Sequence, residues 1–326
     1  MPVPVYPPLP DNVPTHPLVV IDYELIRARD PIEIERLWEA ATSLGFWYLM
    51  NHGADKEVND MFDLGAKYMA LPFDEKMEFT QGQGGSNFGY KHLASIQIDP
   101  SGTRDANEYF NIAQDDAFSY PSVTHRTYPT LINDAMQPVI TPFTRKSVEV
   151  NNTLIDVFND RLGLPADELG KRHDMTELSG NGAKFIRVPP NLNTGEKAVG
   201  HHTDFGSLPI PGHAICNIGD ALHILSGGIL RSSIHRVLTP PGDQSKFERF
   251  SIVFFFRPGN SVLLNALSKE SSLIKAAVDR AVDPKVFNTG ATALEWLSRR
   301  VTYRRAVNQK DPQLWTAGQG TEGKAY

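Results

Sequence analysis

The stretch from His202 to Ser251 constrains the fold more than any other part of the chain. It contains three short patterns, which read HTDFGSL at 202–208, SSIHRVL at 232–238 and RFSIVFFF at 249–256. Residues two apart in a β-strand point to the same face of a sheet, so His202 and Asp204 are expected to project together. His235 follows 31 positions after Asp204 and would add an imidazole from a second strand. The stretch therefore predicts two histidines and one carboxylate on a common face.

A set of two histidines and one carboxylate, with the other coordination positions open, suits a non-haem Fe(II) oxygenase. Arg249 and Ser251 also share one strand face, in an apolar run with Val253 and Phe255. A buried guanidinium is costly unless it meets an anion, and its planar fork suits a carboxylate bound through two hydrogen bonds. The sequence therefore predicts a metal ion and a small carboxylate inside one barrel.

These patterns resemble the isopenicillin N synthase-like family of Fe(II)/2-oxoglutarate-dependent dioxygenases. The resemblance is carried by His202-x-Asp204, His235-Arg236-Val237 and Arg249-x-Ser251, by HAICNIGDAL (213–222) and SGGILRSSIHRV (226–237), which look like the fungal branch, and by IDYELIRARD (21–30), GFWYLMNHG (45–53), LPFDEK (71–76) and GYKHL (89–93), which look like the helical cap. It extends from about Pro17 to about Glu322. It implies a mainly β chain with flanking helices and a double-stranded β-helix (jelly roll) core.

The resemblance also implies the chemistry. Fe(2+) would be held by His202, Asp204 and His235, and the co-substrate 2-oxoglutarate would place its far carboxylate on Arg249 and Ser251. With O2, such a site hydroxylates, desaturates or cyclises a small organic substrate, and the fungal branch favours secondary metabolism. Two further residues are candidates for substrate binding. They are Tyr90, which lies in a segment that approaches the family's substrate pocket, and Arg187, which either binds a substrate or pairs with an acid.

The chain is expected to form one dioxygenase domain over 18–326, after a proline-rich arm at 1–17. Its expected parts are a helical cap (18–100), a jelly-roll core (101–265) with a backbone helix (133–162), and a C-terminal helical segment (266–326). Amphipathic helices are predicted over 31–44, 58–70 and 292–302. Residues 214–218 and 221–225 are expected to form a hairpin around Gly219-Asp220, which is a turn signal.

One departure from the family concerns the segment between Asp204 and His235, which is shorter here. Leu208 passes directly into Pro209-Ile210-Pro211-Gly212, and prolines are typical of an edge or connector rather than a central strand. The family has about two more strands at this place, so the barrel is expected to expose sheet edges. Two interpretations are open: a naturally shortened barrel, or a segment lost through splicing or gene prediction.

Three other functions are compatible with these residues. An Fe(II) oxidase that does not use 2-oxoglutarate would direct Arg249 to a substrate carboxylate. A non-catalytic protein would result if the shortened barrel no longer completes the site. A zinc hydrolase would use the same triad, since two histidines and one aspartate also hold Zn2+, but it leaves Arg249 and Ser251 unexplained.

The remaining features point to a cytoplasmic protein with a small-molecule substrate. A net charge of −6 does not indicate the basic surface that is typical of nucleic-acid-binding proteins. No apolar run has the length of a membrane span. The N-terminus lacks the pattern of a secretory signal, and the single Cys216 excludes an internal disulfide and is expected in the core. The other histidines considered are assigned to the scaffold: His52, His201, His213 and His223. The oligomeric state is left open.

Overall fold

A computed structural model of the chain describes residue 7 and residues 16–82, 86–99, 101–190, 197–202, 209–210, 213–309 and 320–321, with the backbone alone at 197–201 and 209–210. Several expectations therefore lie wholly or partly outside the described residues. These are the position of Asp204, the side chain of His201, most of the proline-rich arm, the connector at Leu208 and 211–212, and the C-terminal segment at 310–319 and 322–326.

The strands alternate with helices along the chain. They are β1 (Val20–Asp22), β2 (Phe46–Met50), β3 (Gly89–Lys91), β4 (Glu108–Ala113), β5 (Gly182–Val188), β6 (Lys197–His202), β7 (Pro209–Ile210), β8 (His213–Asn217), β9 (His235–Leu238), β10 (Arg249–Phe255), β11 (Leu263–Asn265) and β12 (Asn288–Thr292). Within the described ranges, two four-stranded sheets have the orders β1-β2-β8-β7 and β10-β5-β4-β3, and the pairs β6-β9 and β11-β12 stand beside them. The two predicted histidine ligands thus lie on one strand pair, β6-β9, whereas Arg249 and Ser251 lie in a different sheet.

The helices cover the outer faces of these sheets. They are α1 (Tyr23–Arg27), α2 (Pro31–Ser43), α3 (Asp55–Met69), α4 (Phe73–Met77), α5 (Gln114–Ser119), α6 (Thr130–Ala135), α7 (Thr141–Arg161), α8 (Asp220–Leu225), α9 (Ser272–Arg280) and α10 (Ala293–Arg304). The α2 helix begins where Asp30 accepts hydrogen bonds from the amides of Ile32 and Glu33. It ends before Gly45, whose φ of +74° and whose approach to the Arg231 carbonyl leave no room for a Cβ.

The predicted backbone helix is present but interrupted. Met136–Ile140 forms a π-helical segment that contains Pro138, and α7 continues after it to Arg161. A proline within a helix removes a backbone donor, which accounts for the offset at this point. The buried face of α7 packs with α2 and β2 in one core, and the π-helical segment packs with α3 and β5 in a second core.

The expected hairpin after Gly219 is wrong, because Asp220–Leu225 forms the short helix α8. Burial at Asp220, His223 and Ile224 follows the three- and four-residue spacing of a helix rather than the two-residue spacing of a strand. The Asp220 carboxylate is fully buried, where it accepts hydrogen bonds from Ser232, Thr321 and Arg300. Tertiary contacts thus replace the turn that the Gly-Asp pair suggested.

Replacing Asp220 by alanine is expected to lower the free energy of unfolding by about 3–5 kcal/mol, because it leaves the Arg300 guanidinium buried without its carboxylate. Urea denaturation of both proteins measures the difference. The matched control is Asp243→Ala, which removes an exposed ion pair with Lys246 and should leave the free energy of unfolding close to that of the parent. Equal losses in the two variants would contradict the role of the buried pair.

His173 makes the stability depend on pH. The ring is buried against Phe256, and burial lowers the pKa of His173 to about 4, although its hydrogen bond to the Leu169 carbonyl opposes that change. The unfolded chain takes up this proton near pH 6.5, so the free energy of unfolding falls as the pH drops from about 6.5 to about 4, by about 3 kcal/mol at most.

Urea denaturation between pH 4 and 7 tests this expectation when parent and His173→Gln are compared. The variant lacks the titrating ring, so its free energy of unfolding should decline less across this window. Parallel curves for the two proteins would show that another group is responsible.

Candidate active site

The strands β5 and β10 present the predicted carboxylate anchor on one face. Arg249 pairs with Val188 and Ser251 with Ile186, so these four side chains share the same side of the sheet. Ser251 is buried and Arg249 is half-buried. The structure therefore brings the guanidinium and the hydroxyl together, as the two-residue spacing predicted.

The two predicted histidine ligands meet across the β6-β9 pair. His202 lies opposite His235 in the register, and their ring centroids are 4.3 Å apart. Phe46 of β2 packs edge-on against His235 with centroids 5.1 Å apart, which restrains the ring. Strand pairing thus brings the two histidine rings into contact, although 32 residues separate them in sequence.

The hydrogen bond of His235 indicates which nitrogen is available for a metal. Its Nδ1 lies 3.1 Å from the Ser233 carbonyl oxygen, and a carbonyl only accepts, so Nδ1 carries the proton. The lone pair of the neutral ring then lies on Nε2. A backbone carbonyl that orients the ring in this way is the usual outer partner of a metal-binding histidine.

One cavity of about 1010 Å3 joins these two pairs of residues. His202, His235, Arg249 and Ser251 all border it, and we call it the inner chamber. A second cavity of about 1700 Å3 lies towards α3 and α7 and also borders Arg249 and Ser251, but His202 and His235 do not border it. The predicted metal ligands therefore place the candidate site in the smaller cavity.

The donor set of the inner chamber fits the predicted metal and co-substrate. Two imidazoles face each other, and an Arg-Ser pair that suits a carboxylate borders the same space. Within the described ranges, no group of three or more His, Cys, Asp or Glu side chains could hold a metal ion. The third predicted ligand, Asp204, belongs to the residues that the structure does not describe.

Tyr90 and Arg187 lie on the other face of the sheet from Arg249. The Tyr90 hydroxyl donates to the Glu108 carboxylate and its ring packs against Tyr68, although the residue borders the inner chamber. The Arg187 Nε lies 3.1 Å from the other oxygen of Glu108. The structure thus gives Arg187 the acidic partner that the sequence allowed, and it does not bring either side chain to the Arg249 face.

Three of the histidines that were assigned to the scaffold make structural contacts, which are hydrogen bonds to the backbone or packing against an aromatic ring. The His52 ring accepts a hydrogen bond from the Ala54 amide in the turn after β2, and burial lowers the pKa of His52. The buried His223 donates to the Leu230 carbonyl, and His213 packs edge-on against Tyr48. Cys216 is half-buried against the core of α2 and α7.

Sequence reasoning missed two cations on the inner face of the sheet. Lys184 lies opposite Val253 in the register, and Arg257 follows the end of β10, and both border the inner chamber. A signal was present, since Lys184 stands beside apolar residues in the run AKFIRV and, four residues before Val188, is expected on the same strand face as Val188. Its meaning depended on the pairing of β5 with β10.

Comparison with known proteins identifies the family. A sequence model described as non-haem dioxygenase in morphine synthesis N-terminal matches residues 18–134, and one described as 2OG-Fe(II) oxygenase superfamily matches residues 177–258. Together they span more than half of the chain. The chain belongs to the Fe(II)/2-oxoglutarate-dependent dioxygenase family.

Individual relatives agree with this assignment. The chain is 27% identical over 300 residues to the 2-oxoglutarate-dependent dioxygenase frbH of Dothideomycetidae sp. (strain 11243), with 82% of this chain and 89% of the relative covered. It is 26% identical over 310 residues to thebaine 6-O-demethylase of Papaver somniferum, with 84% and 78% covered. A full-length Neurospora crassa protein, crystallised in complex with alpha-KG, has a TM-score of 0.67 at 20% identity, with 87% and 95% covered, which confirms the jelly-roll fold.

Membership of this dioxygenase family confirms the predicted class of enzyme. The protein is an oxidoreductase whose cofactors are Fe(II), 2-oxoglutarate and O2. The roles of individual residues and the shortening between Asp204 and His235 stay predictions. Among the described residues, no helix combines the length and the apolar character that crossing a membrane requires.

Proposed function

We propose that this dioxygenase oxidises a small organic substrate in the inner chamber, with His202, Asp204 and His235 as the iron ligands and Arg249 and Ser251 as the anchor for 2-oxoglutarate. One observation carries the proposal. The two imidazoles face each other at 4.3 Å and border the same chamber as the Arg-Ser pair.

Bound iron and 2-oxoglutarate supply the oxidising power that attacks an unactivated C–H bond. The chain's own residues position these groups. The Ser233 carbonyl holds His235 in the tautomer that presents Nε2, and Phe46 restrains the rotation of the ring. Arg249 binds the far carboxylate through its guanidinium, and the Ser251 hydroxyl donates a further hydrogen bond.

The nature of the relatives supports a role in secondary metabolism. One family model is named for morphine synthesis, and relatives include thebaine 6-O-demethylase and a fungal 2-oxoglutarate-dependent dioxygenase. A chamber of about 1010 Å3 has the size of pockets that take small molecules. We propose that the enzyme hydroxylates, desaturates or cyclises such a substrate.

We propose the cytoplasm as its location, because a single cysteine stays reduced there.

Two alternatives differ from this proposal in what Arg249 does and in whether the site is complete. In an Fe(II) oxidase that does not use 2-oxoglutarate, Arg249 would bind the substrate. In a non-catalytic protein, the iron would not be held. The described part of β10 pairs on one side alone, with β5, and β7 adds just two residues beside β8. A shortened barrel would leave unpaired strand edges of this kind. They support the alternative of a non-catalytic protein.

Anaerobic titration with Fe(II) and then 2-oxoglutarate tests the proposal. Chelation of iron by 2-oxoglutarate produces a visible charge-transfer band, so a saturable band in the parent protein is the expected result. A folded protein that binds iron without forming the band would favour the oxidase that does not use 2-oxoglutarate. A folded protein that binds no iron would show that the site is incomplete.

A further inference from the structure

A buried carboxylate, that of Glu108 on β4, connects to three other elements of the fold. Its Oε2 lies 3.2 Å from the Lys76 Nζ of α4 and accepts a hydrogen bond from the Tyr90 hydroxyl of β3. Its Oε1 lies 3.1 Å from the Arg187 Nε of β5. Both carboxylate oxygens therefore have cationic or hydroxyl partners, and the Arg187 guanidinium is attached to a buried, well-held group.

The same guanidinium extends to the start of β10. Its Nε lies 3.7 Å from a carboxylate oxygen of Glu248, the residue directly before Arg249. Its Nη1 donates to the Met69 carbonyl at 3.3 Å, where α3 ends. Arg187 thus connects the first residues of β10 to the buried Glu108 and to the end of α3.

Strand register places these contacts directly behind the predicted carboxylate anchor. Arg187 is opposite Phe250, which lies between Arg249 and Ser251 on β10. Successive strand residues point to opposite faces, so Arg187 makes its contacts on one face while Arg249 and Ser251 project from the other. Arg249 is the first residue of β10, and the ends of an element open more readily than its middle. Contacts that hold the start of β10 therefore also hold Arg249.

We propose that Arg187 is a positioning residue for 2-oxoglutarate, which acts through Glu108 and Glu248 to fix the start of β10 and with it the geometry of Arg249 and Ser251. The inference rests on the proposed function, since it takes Arg249 and Ser251 as the co-substrate anchor. A planar guanidinium binds a carboxylate through two hydrogen bonds in a narrow range of orientations, so a small displacement of the strand weakens binding.

Arg187→Met tests the proposal, because it keeps a long apolar side chain and removes the charge. Anaerobic titration of the iron-loaded variant should show 2-oxoglutarate binding that is weaker by roughly 10-fold, which is the smaller effect expected when an outer partner of a ligand is lost. The Fe(II) affinity should stay within a few-fold of the parent value, because His202 and His235 lie on the separate strand pair β6-β9. Arg187→Lys keeps the charge and should recover part of the 2-oxoglutarate affinity.

Hydrogen exchange provides a second measurement that needs neither metal nor co-substrate. Backbone amides at the start of β10, in the peptide that covers 248–252, should exchange faster in Arg187→Met than in the parent. Amides of β8 (His213–Asn217) should exchange as they do in the parent, since β8 belongs to a different sheet.

Arg172→Met is the matched control. The Arg172 side chain is 22% exposed, close to the 26% of Arg187, and it pairs with Glu168 at 2.6 Å. Arg172 borders neither cavity. This variant removes a comparable, partly buried ion pair, and it should leave both the 2-oxoglutarate affinity and the exchange of β10 unchanged.

The inference is overturned if Arg187→Met binds 2-oxoglutarate as the parent does, if it loses iron and 2-oxoglutarate affinity to the same extent, or if the exchange of β10 does not change. Unchanged co-substrate binding with reduced turnover would make Arg187 a substrate-binding residue instead. If the parent forms no charge-transfer band, the proposed function fails, and the exchange experiment by itself still supports or overturns the connection between Arg187 and β10.

Discussion

Replacing His235 by alanine is expected to abolish iron binding and turnover. The change removes one of the two imidazoles that face each other at 4.3 Å. Loss of an outer partner of a metal ligand already costs roughly 10- to 100-fold in affinity, so loss of the ligand itself should exceed about 100-fold. Anaerobic calorimetry with Fe(II) measures the affinity, and succinate formation from 2-oxoglutarate measures turnover.

His213→Ala is the matched control for this experiment. His213 is a half-buried histidine of the strand β8 that packs against Tyr48, and it borders the larger cavity rather than the inner chamber. Its replacement should leave iron affinity within a few-fold of the parent value. If His235→Ala retained iron while the fold remained intact, the proposed ligand set would be wrong.

Replacing Arg249 by alanine is expected to remove the 2-oxoglutarate band at ordinary co-substrate concentrations while iron still binds. Loss of one partner from a buried, hydrogen-bonded charge pair costs about 2–5 kcal/mol, which is roughly 30- to 4000-fold in affinity. Ser251→Ala removes a hydroxyl alone and should cost about 1 kcal/mol. Anaerobic titration with 2-oxoglutarate, followed by visible absorption, compares these variants with the parent.

Arg231→Ala provides the control for this second experiment. Arg231 has an exposed side chain and borders neither cavity, so the band should form at concentrations close to those of the parent. A full-strength band in Arg249→Ala would contradict the assigned role. Arg249 would then be a residue that binds the substrate, as in an oxidase that does not use 2-oxoglutarate.

Local patterns in the sequence were sufficient for the elements that carry the site. Strand alternation placed Arg249 and Ser251 on one face, and the apolar spacing after Pro31 predicted α2 to within one residue of its observed end. Both predictions concern residues that are close in sequence, and the regular geometry of a helix or a strand fixes the relative directions of their side chains. The family followed from the same motifs, because their order along the chain is specific.

Tertiary structure alone decided which distant residues meet. The turn signal at Gly219-Asp220 was overridden because Asp220 finds Arg300, 80 residues away, and the buried ion pair stabilises a helix there. The register of β5 against β10 set Lys184 on the face of Arg249 and turned Arg187 towards Glu108. A shift of one residue in that pairing would have exchanged the two, and sequence alternation by itself does not determine the register. Motifs thus predicted the family and the candidate site residues, whereas strand pairing determined which charged side chains share a face with Arg249.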